Sequence, residues 1–188
     1  MLNKGNESRI ILGVDPGTTV MGYGVIHIEN KKIVVLQYGV LKLAKYADQQ
    51  LKLKKIFETI SRLIQEFLPD EAAVEMPFFG VNVQSMLKLG RAQGVVMAAA
   101  LNKNIPIAEY LPLEVKKSVT GNGKASKEQV AAMLQTLLKF NTEPEDLLDA
   151  TDALAVAVCH YFNRKPKKGK GNSWEAFVTE NKSRVKGL

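Results

Sequence analysis

Four acidic residues stand in apolar surroundings at three places in the sequence. Asp15 ends one apolar run, Glu75 follows Ala72-Ala73-Val74, and Asp149 and Asp152 lie three residues apart in an alanine-rich run. A charge in such surroundings is costly unless it is paired or bound to a metal. Hard cations such as Mg²⁺ bind carboxylate oxygens and keep waters that phosphate oxygens can replace. The four acids therefore indicate a divalent-metal nuclease site with room for two ions, one activating water and the other stabilising the leaving oxygen.

Taken alone, most of these acids also have a structural interpretation. Asp15-Pro16-Gly17 is a turn sequence, and Asp149 could cap a helix with Asp152 as its capping-box partner. Glu75 is harder to explain in this way, because a charge in a short buried strand needs a partner. Since a helix cap and a metal ligand are not exclusive, the combination carries the prediction of a metal site.

Alternating patterns along the chain predict the elements that must position these acids. Strands are expected over residues 10–15, 21–28, 32–43, 72–76 and 105–111, and helices over 50–68, 82–101, 116–119, 127–139 and 149–162. Three sequential strands followed by alternating helices and strands predict an α/β fold. Its mixed five-stranded sheet would combine a three-strand meander with two parallel strands, flanked by helices. Adjacent parallel strands would bring Asp15 and Glu75 to one edge of this sheet.

Length, composition and charge fit one compact domain with a basic C-terminal segment. The chain has 188 residues and a net charge of +7, and no apolar run approaches the roughly 20 residues of a membrane span. Residues 1–8 are polar and predict a flexible start without a signal peptide, so a cytoplasmic protein is expected. Residues 164–188 carry eight basic residues against two acidic ones, or +6. They predict a flexible basic tail that could lie along phosphates, although such tails also occur on proteins without nucleic-acid partners.

Taken together, these motifs resemble those of the RuvC family of bacterial Holliday junction resolvases. The similar residues are Leu12-Gly13-Val14-Asp15-Pro16-Gly17 with Gly22-Tyr23-Gly24, Glu75 followed three residues later by Phe78, and Asp149-Ala150-Thr151-Asp152-Ala153-Leu154-Ala155. The resemblance covers about residues 9–163. It implies a ribonuclease-H-like nuclease domain and a homodimer that nicks two opposed strands of a four-way DNA junction in recombination and repair, leaving 5′-phosphate and 3′-hydroxyl ends.

The resemblance also implies roles for individual residues. By position, Asp15, Glu75, Asp149 and Asp152 correspond to the catalytic carboxylates that bind two Mg²⁺ ions, with Mn²⁺ expected to substitute. Phe78 corresponds to an aromatic residue that stacks on a base near the crossover. Lys116 and Lys127 correspond to basic positions that contact phosphate. The branch-migration proteins RuvA and RuvB accompany the resolvase in this family.

Two other functions are consistent with parts of the sequence. The first is a related ribonuclease-H-like nuclease that acts on other branched DNA or on RNA. The second is an actin-like ATPase, because residues 13–19 resemble the first phosphate loop of those proteins. The ATPase fold needs a second similar domain to close over the nucleotide, and the sequence contains no second Asp-rich phosphate loop. Chain length therefore argues against the ATPase.

Overall fold

A computed structural model describes residues 8–77, 82–140 and 147–164. The elements in chain order are β1 (Ser8–Asp15), β2 (Val20–Glu29), β3 (Lys32–Lys42), α1 (Gln49–Phe67), β4 (Glu71–Glu75), α2 (Val83–Leu101), β5 (Ile107–Tyr110), α3 (Pro112–Thr120), α4 (Lys127–Leu138) and α5 (Leu147–Asn163). The strand order is β3-β2-β1-β4-β5. The pairs β1–β2 and β2–β3 are antiparallel, whereas β1–β4 and β4–β5 are parallel. The predicted mixed sheet is confirmed.

Helices cover both faces of the sheet and form two cores. On one face, α5 packs on the strands together with α3 and α4, through apolar residues such as Ile11, Val115 and Leu154. On the other face, α1 and α2 pack on residues such as Leu12 and Val74. Successive residues of a strand point to opposite faces, so each central strand contributes to both cores. None of the described helices combines the length and the apolar character of a membrane span.

The ends of most elements differ from the prediction by one or two residues, and three of the differences concern the regions around the acids or the start of the chain. Helix α3 begins at Pro112 rather than at residue 116, because the Glu114 carboxylate accepts the backbone N–H of Leu111 at 2.9 Å and proline suits the first helical position. Helix α5 begins at Leu147, so Asp149 lies within its first turn. The interpretation of Asp149 as a helix cap is therefore wrong. Strand β1 begins at Ser8, inside the segment predicted to be a flexible start, and residues 1–7 lie outside the described part.

Two glycines allow α5 to lie directly on the central strands. A Cβ atom at Gly22 would come within 2.1 Å of the Asp149 carbonyl oxygen, and one at Gly13 within 2.3 Å of the Ala153 carbonyl oxygen. Real Cβ atoms do not approach backbone this closely, so any other residue would push α5 away. Gly22 is also the partner of Asp15 in the β1–β2 pairing. The start of α5 thus lies over the end of β1.

Candidate active site

The fold brings the four predicted acids together at one edge of the sheet. Asp15 and Glu75 are the last residues of the adjacent parallel strands β1 and β4, each one step beyond the paired Val14 and Val74. Because Ala73 belongs to the core under α5, alternation along the strand directs Glu75 toward the same side.

The first turns of α5 supply the other two acids. Asp149 and Asp152 lie one turn apart on this helix, and the charges of both reach Asp15. The side chain of Asp152 is largely buried, with 16% exposed, whereas that of Asp149 is 47% exposed. The cluster therefore runs from an enclosed side at the strand ends to an open side at the start of α5.

Burial and mutual repulsion raise the pKa values of three of these carboxyl groups. Burial, followed by the charges of Asp152 and Asp149, raises the pKa of Asp15 to about 7. Burial and the charges of Asp15 and Asp152 raise the pKa of Glu75 to about 8. Burial also raises the pKa of Asp152. Such shifts mean that additional positive charge at this edge would stabilise the ionised acids.

A lysine side chain already provides part of that positive charge. The Nζ of Lys127, the first residue of α4, donates a hydrogen bond to the Asp152 carboxylate and lies 3.5 Å from Asp149 Oδ1. Burial alone would lower the pKa of Lys127, but the hydrogen bond to Asp152 and the charges of Asp152, Asp149 and Asp15 raise it. Lys116 on α3 contributes a weaker positive field at Glu75 and Asp152.

The chemistry of the site suits a hard divalent cation. Within residues 8–77, 82–140 and 147–164, no three acidic, histidine or cysteine side chains already converge as a complete set of metal ligands. The four carboxylates nevertheless offer only oxygen donors, repel one another, and already attract an ammonium group. Oxygen donors with excess negative charge are the ligands that Mg²⁺ prefers. Asp15, Glu75, Asp149 and Asp152 are thus the residues that would hold such an ion.

One predicted site residue lies outside the described part of the chain. Phe78, with its neighbour Phe79, belongs to residues 78–81, between Glu75 at the end of β4 and Asn82, which caps α2 by accepting the Ser85 N–H at 3.1 Å. Its role in stacking on a base stays a prediction. Residues 165–188, which form almost all of the predicted basic tail, also lie outside the described residues.

A second polar cluster holds the opposite end of α5. Glu71, at the start of β4, bonds Arg9 Nη1 at 2.6 Å through Oε1 and His160 Nε2 at 2.9 Å through Oε2. The other ring nitrogen of His160 bonds the Tyr110 hydroxyl at 2.8 Å, and Arg164 Nε lies 3.3 Å from Glu71 Oε1. Ionic and hydrogen-bonding contacts therefore fix α5 at both ends, and apolar packing holds the part of the helix between them.

Three features of this region were not found from the sequence. The sequence does indicate the close approach at Gly13 and Gly22, because glycines inside strands mark close contact with another backbone. It indicates the Glu71 cluster more weakly, since Glu71 lies four residues before Glu75 and hence on the same face of a strand. Nothing in the sequence indicates the contact of Lys127 with the acids, because this contact arises only where the start of α4 meets α5 in space.

Comparisons with known proteins identify relatives of the whole domain. Residues 11–160 match the family described as crossover junction endodeoxyribonuclease RuvC. A protein of that name from Cytophaga hutchinsonii is 59% identical over 189 residues, which cover 99% of this chain and 94% of the relative. A structure of Thermus thermophilus RuvC in complex with a Holliday junction substrate is 32% identical, with a TM-score of 0.75 over 82% of this chain and 93% of that one.

A second structure of T. thermophilus RuvC is 34% identical and has a TM-score of 0.71, covering 81% of this chain and 93% of that one. The ribonuclease-H-like fold implied by the sequence motifs is thereby confirmed. The match extends from β1 into α5 and so includes all the elements that carry the four acids. This chain belongs to the RuvC family of crossover junction endodeoxyribonucleases.

Proposed function

We propose that this protein resolves four-way DNA junctions by paired, symmetric hydrolysis of two phosphodiester bonds, leaving 5′-phosphate and 3′-hydroxyl ends. The main support is the meeting of four mutually repelling carboxylates at the edge of the sheet, in a chain that belongs to a family of crossover junction nucleases. The same family membership favours the nuclease over the nucleotide-binding alternative. The experiment below tests the alternative, in which the enzyme prefers another branched DNA or an RNA substrate.

The proposed site holds two Mg²⁺ ions, with Mn²⁺ able to replace them. Bound Mg²⁺ supplies the positive charge that activates water and stabilises the leaving oxygen at phosphorus. The chain positions the ligands: strand ends fix Asp15 and Glu75, and the first turns of α5 fix Asp149 and Asp152. Rigid elements hold catalytic groups more accurately than loops do. This rigidity favours a single geometry for in-line attack.

Other residues would bind the DNA around this site. Lys116 and Lys127 lie close enough for their charges to act on Glu75, so a phosphate at the acids would lie near both ammonium groups. Phe78, three residues after Glu75 in the chain, is proposed to stack on a base near the crossover. The basic residues of the predicted tail that follow Arg164, which itself pairs with Glu71, are proposed to lie along phosphates outside the centre of the junction.

The active unit is proposed to be a homodimer formed through α2. One stripe of this helix exposes Val83, Leu87 and Leu101, with 69%, 58% and 58% of each residue exposed. On the same helix, Cβ atoms at Gly90 and Gly94 would meet nothing within 4 Å. Large apolar side chains around small residues suit close helix packing with a second copy. Two sites related by a two-fold axis would then act on two opposed strands.

Two further expectations complete the proposal. On the family resemblance alone, RuvA and RuvB are proposed as partners that supply branch migration. The protein is also proposed to act in the cytoplasm.

The test compares cleavage of a synthetic mobile four-way junction, a linear duplex and a DNA:RNA hybrid, with Mg²⁺ or EDTA. We expect paired nicks only on the junction and only with Mg²⁺. Asp15→Asn should abolish cleavage while junction binding is retained or strengthened, because the change removes a metal ligand and one negative charge near phosphate. The matched control is Asp48→Asn at the start of α1, where asparagine caps as well as aspartate does. Wild-type cleavage by Asp15→Asn, or preference for the hybrid, contradicts the proposal.

A further inference from the structure

The contact between Lys127 and the acids suggests how the site changes when it becomes active. We propose that Lys127 is an exchangeable counter-cation of the acidic cluster: metal ions displace its ammonium group, which then binds DNA phosphate, so metal loading and DNA binding reinforce each other. This inference deepens the proposed function and rests on its assignment of the four acids. It assigns Lys127 two alternating partners rather than one.

The contacts show that Lys127 is placed for this exchange. Its Nζ bonds Asp152 and lies 3.5 Å from Asp149 Oδ1, between two of the residues that would hold metal. The Ser126 side chain caps α4 by accepting the Gln129 N–H at 3.3 Å, which fixes the backbone where Lys127 begins. The lysine side chain itself is 48% exposed. A fixed base and a half-exposed four-carbon stem allow the ammonium group to swing outward without moving the helix.

Because of the charge balance at the site, Lys127 binds either the acids or a phosphate, but not both at once. Four carboxylates can carry four negative charges, and the charge of Lys127 acts on Asp15 and Glu75 as well as on its direct partners. Two divalent ions would neutralise all four charges and repel an ammonium group a few ångströms away. A phosphate bound at those ions offers the nearest new negative charge. The outward position of the Lys127 ammonium group is therefore favoured more strongly by metal and phosphate together than by either one alone.

The first test measures metal binding without DNA. Thermal unfolding of the full-length protein is followed during a Mg²⁺ titration for wild type, Lys127→Gln, Lys127→Arg and the control Lys124→Gln, an exposed lysine in the loop before α4. We expect Lys127→Gln to be less stable in EDTA and to reach half of its Mg²⁺ stabilisation at a concentration roughly tenfold lower than wild type. Lys127→Arg should need more Mg²⁺ than wild type, because guanidinium binds carboxylates with two hydrogen bonds.

The exchange is supported if the Mg²⁺ concentration required increases from Lys127→Gln through wild type to Lys127→Arg, while Lys124→Gln requires the same concentration as wild type. An equal or higher requirement in Lys127→Gln overturns it, and so does an Arg variant that needs less Mg²⁺ than wild type. The Arg variant keeps the test decisive if the Gln variant does not fold. Because no DNA is present, this result does not depend on which nucleic acid the enzyme cleaves. Failure of the junction assay and failure of the exchange are therefore distinguishable.

The second test measures the link to DNA. Junction binding by the wild type and by Lys127→Gln is followed by fluorescence anisotropy with Ca²⁺ or EDTA. Ca²⁺ binds carboxylate oxygens as Mg²⁺ does, but in a looser geometry that is unsuited to in-line attack, so all four acids can be kept. We expect Ca²⁺ to strengthen binding several-fold when Lys127 is present and much less in Lys127→Gln. The same gain in both proteins would overturn the proposed link, since it would show that the cation acts on DNA binding without Lys127.

Discussion

Glu75 holds its proton more tightly than an ordinary glutamic acid because it is buried beside Asp15. Its pKa is about 8 and that of Asp15 is about 7, against ordinary values of 4.5 and 3.8. The folded protein therefore binds more protons than the unfolded chain between about pH 4 and pH 8. Stability falls with rising pH wherever the folded state binds more protons. Without metal, the acids oppose folding once they ionise.

We therefore predict that, in EDTA, the free energy of unfolding decreases as the pH rises from 5 to about 8 and levels off above that range. Saturating Mg²⁺ should remove most of the decrease, because the cation favours the ionised acids. Glu75→Gln should weaken the decrease, since an amide does not titrate. Denaturant titrations at several pH values measure the effect. A stability that is constant or increases across this range would contradict the pKa assignment.

Glu71 lies four residues before Glu75 on the same strand and responds to pH in the opposite direction. Burial alone would raise the pKa of Glu71, but the hydrogen bond with His160 and the charges of Arg164 and Arg9 lower it below its usual range. A lowered pKa contributes stability that is present above the unfolded value of about 4.5 and is lost as the pH falls through the folded value.

Removing this carboxylate leaves two partly buried arginines and a buried histidine without this acceptor. We predict that Glu71→Ala lowers the free energy of unfolding at pH 7 by about 2–3 kcal/mol, which is less than the roughly 3–5 kcal/mol lost when a fully buried ion pair is broken from one side, because the arginines are partly exposed. Urea denaturation measures the loss, with Glu66→Ala on the exposed face of α1 as the control. That control should lose less than about 1 kcal/mol. Equal losses would mean that the cluster around Glu71 contributes nothing specific.

Among the elements, α5 depends most on a close fit. Because a Cβ at Gly22 would meet the Asp149 carbonyl oxygen at 2.1 Å, Gly22→Ala must move α5 or β2. We predict that cleavage falls by about a hundredfold, since a shift of about 1 Å in catalytic ligands costs this much. The control is Gly39→Ala on β3, whose Cβ would meet no backbone but only the far end of the Tyr23 side chain, with the hydroxyl oxygen at 2.6 Å and Cζ at 2.9 Å. Similar activities of the two variants would show that α5 tolerates the displacement.

The sequence predicted the type and order of every element, because most carry a clear apolar period. Helix α1, for instance, buries Ile56, Ile60, Leu63 and Ile64 on one face, as their spacing indicates. The start of α3 was predicted too late, since its first turn is set by a proline and a side-chain cap rather than by apolar spacing. The contacts of Lys127 and Glu71 were not predicted, because they join residues far apart in the chain.

At the scale of the whole molecule, symmetry determines whether two strands are cut together. We predict that Leu87→Glu, which places a charge on the proposed α2 interface, converts the protein from a dimer to a monomer in analytical ultracentrifugation. Junctions should then receive single nicks rather than paired ones. Leu113→Glu is the control for oligomeric state, because Leu113 has the same 58% exposure but lies on α3. A dimer that survives Leu87→Glu would exclude α2 as the interface.

The attachment of α5 at both ends limits what a partly unfolded form of the protein can do. An enzyme that hydrolyses DNA damages its host if it cuts indiscriminately, and proteins open locally before they lose all structure. Here the helix that carries Asp149 and Asp152 is also held by Glu71 through His160. Opening that frees this helix also removes two of the four acids from the others. Partial unfolding would therefore inactivate the nuclease rather than leave it active but unselective.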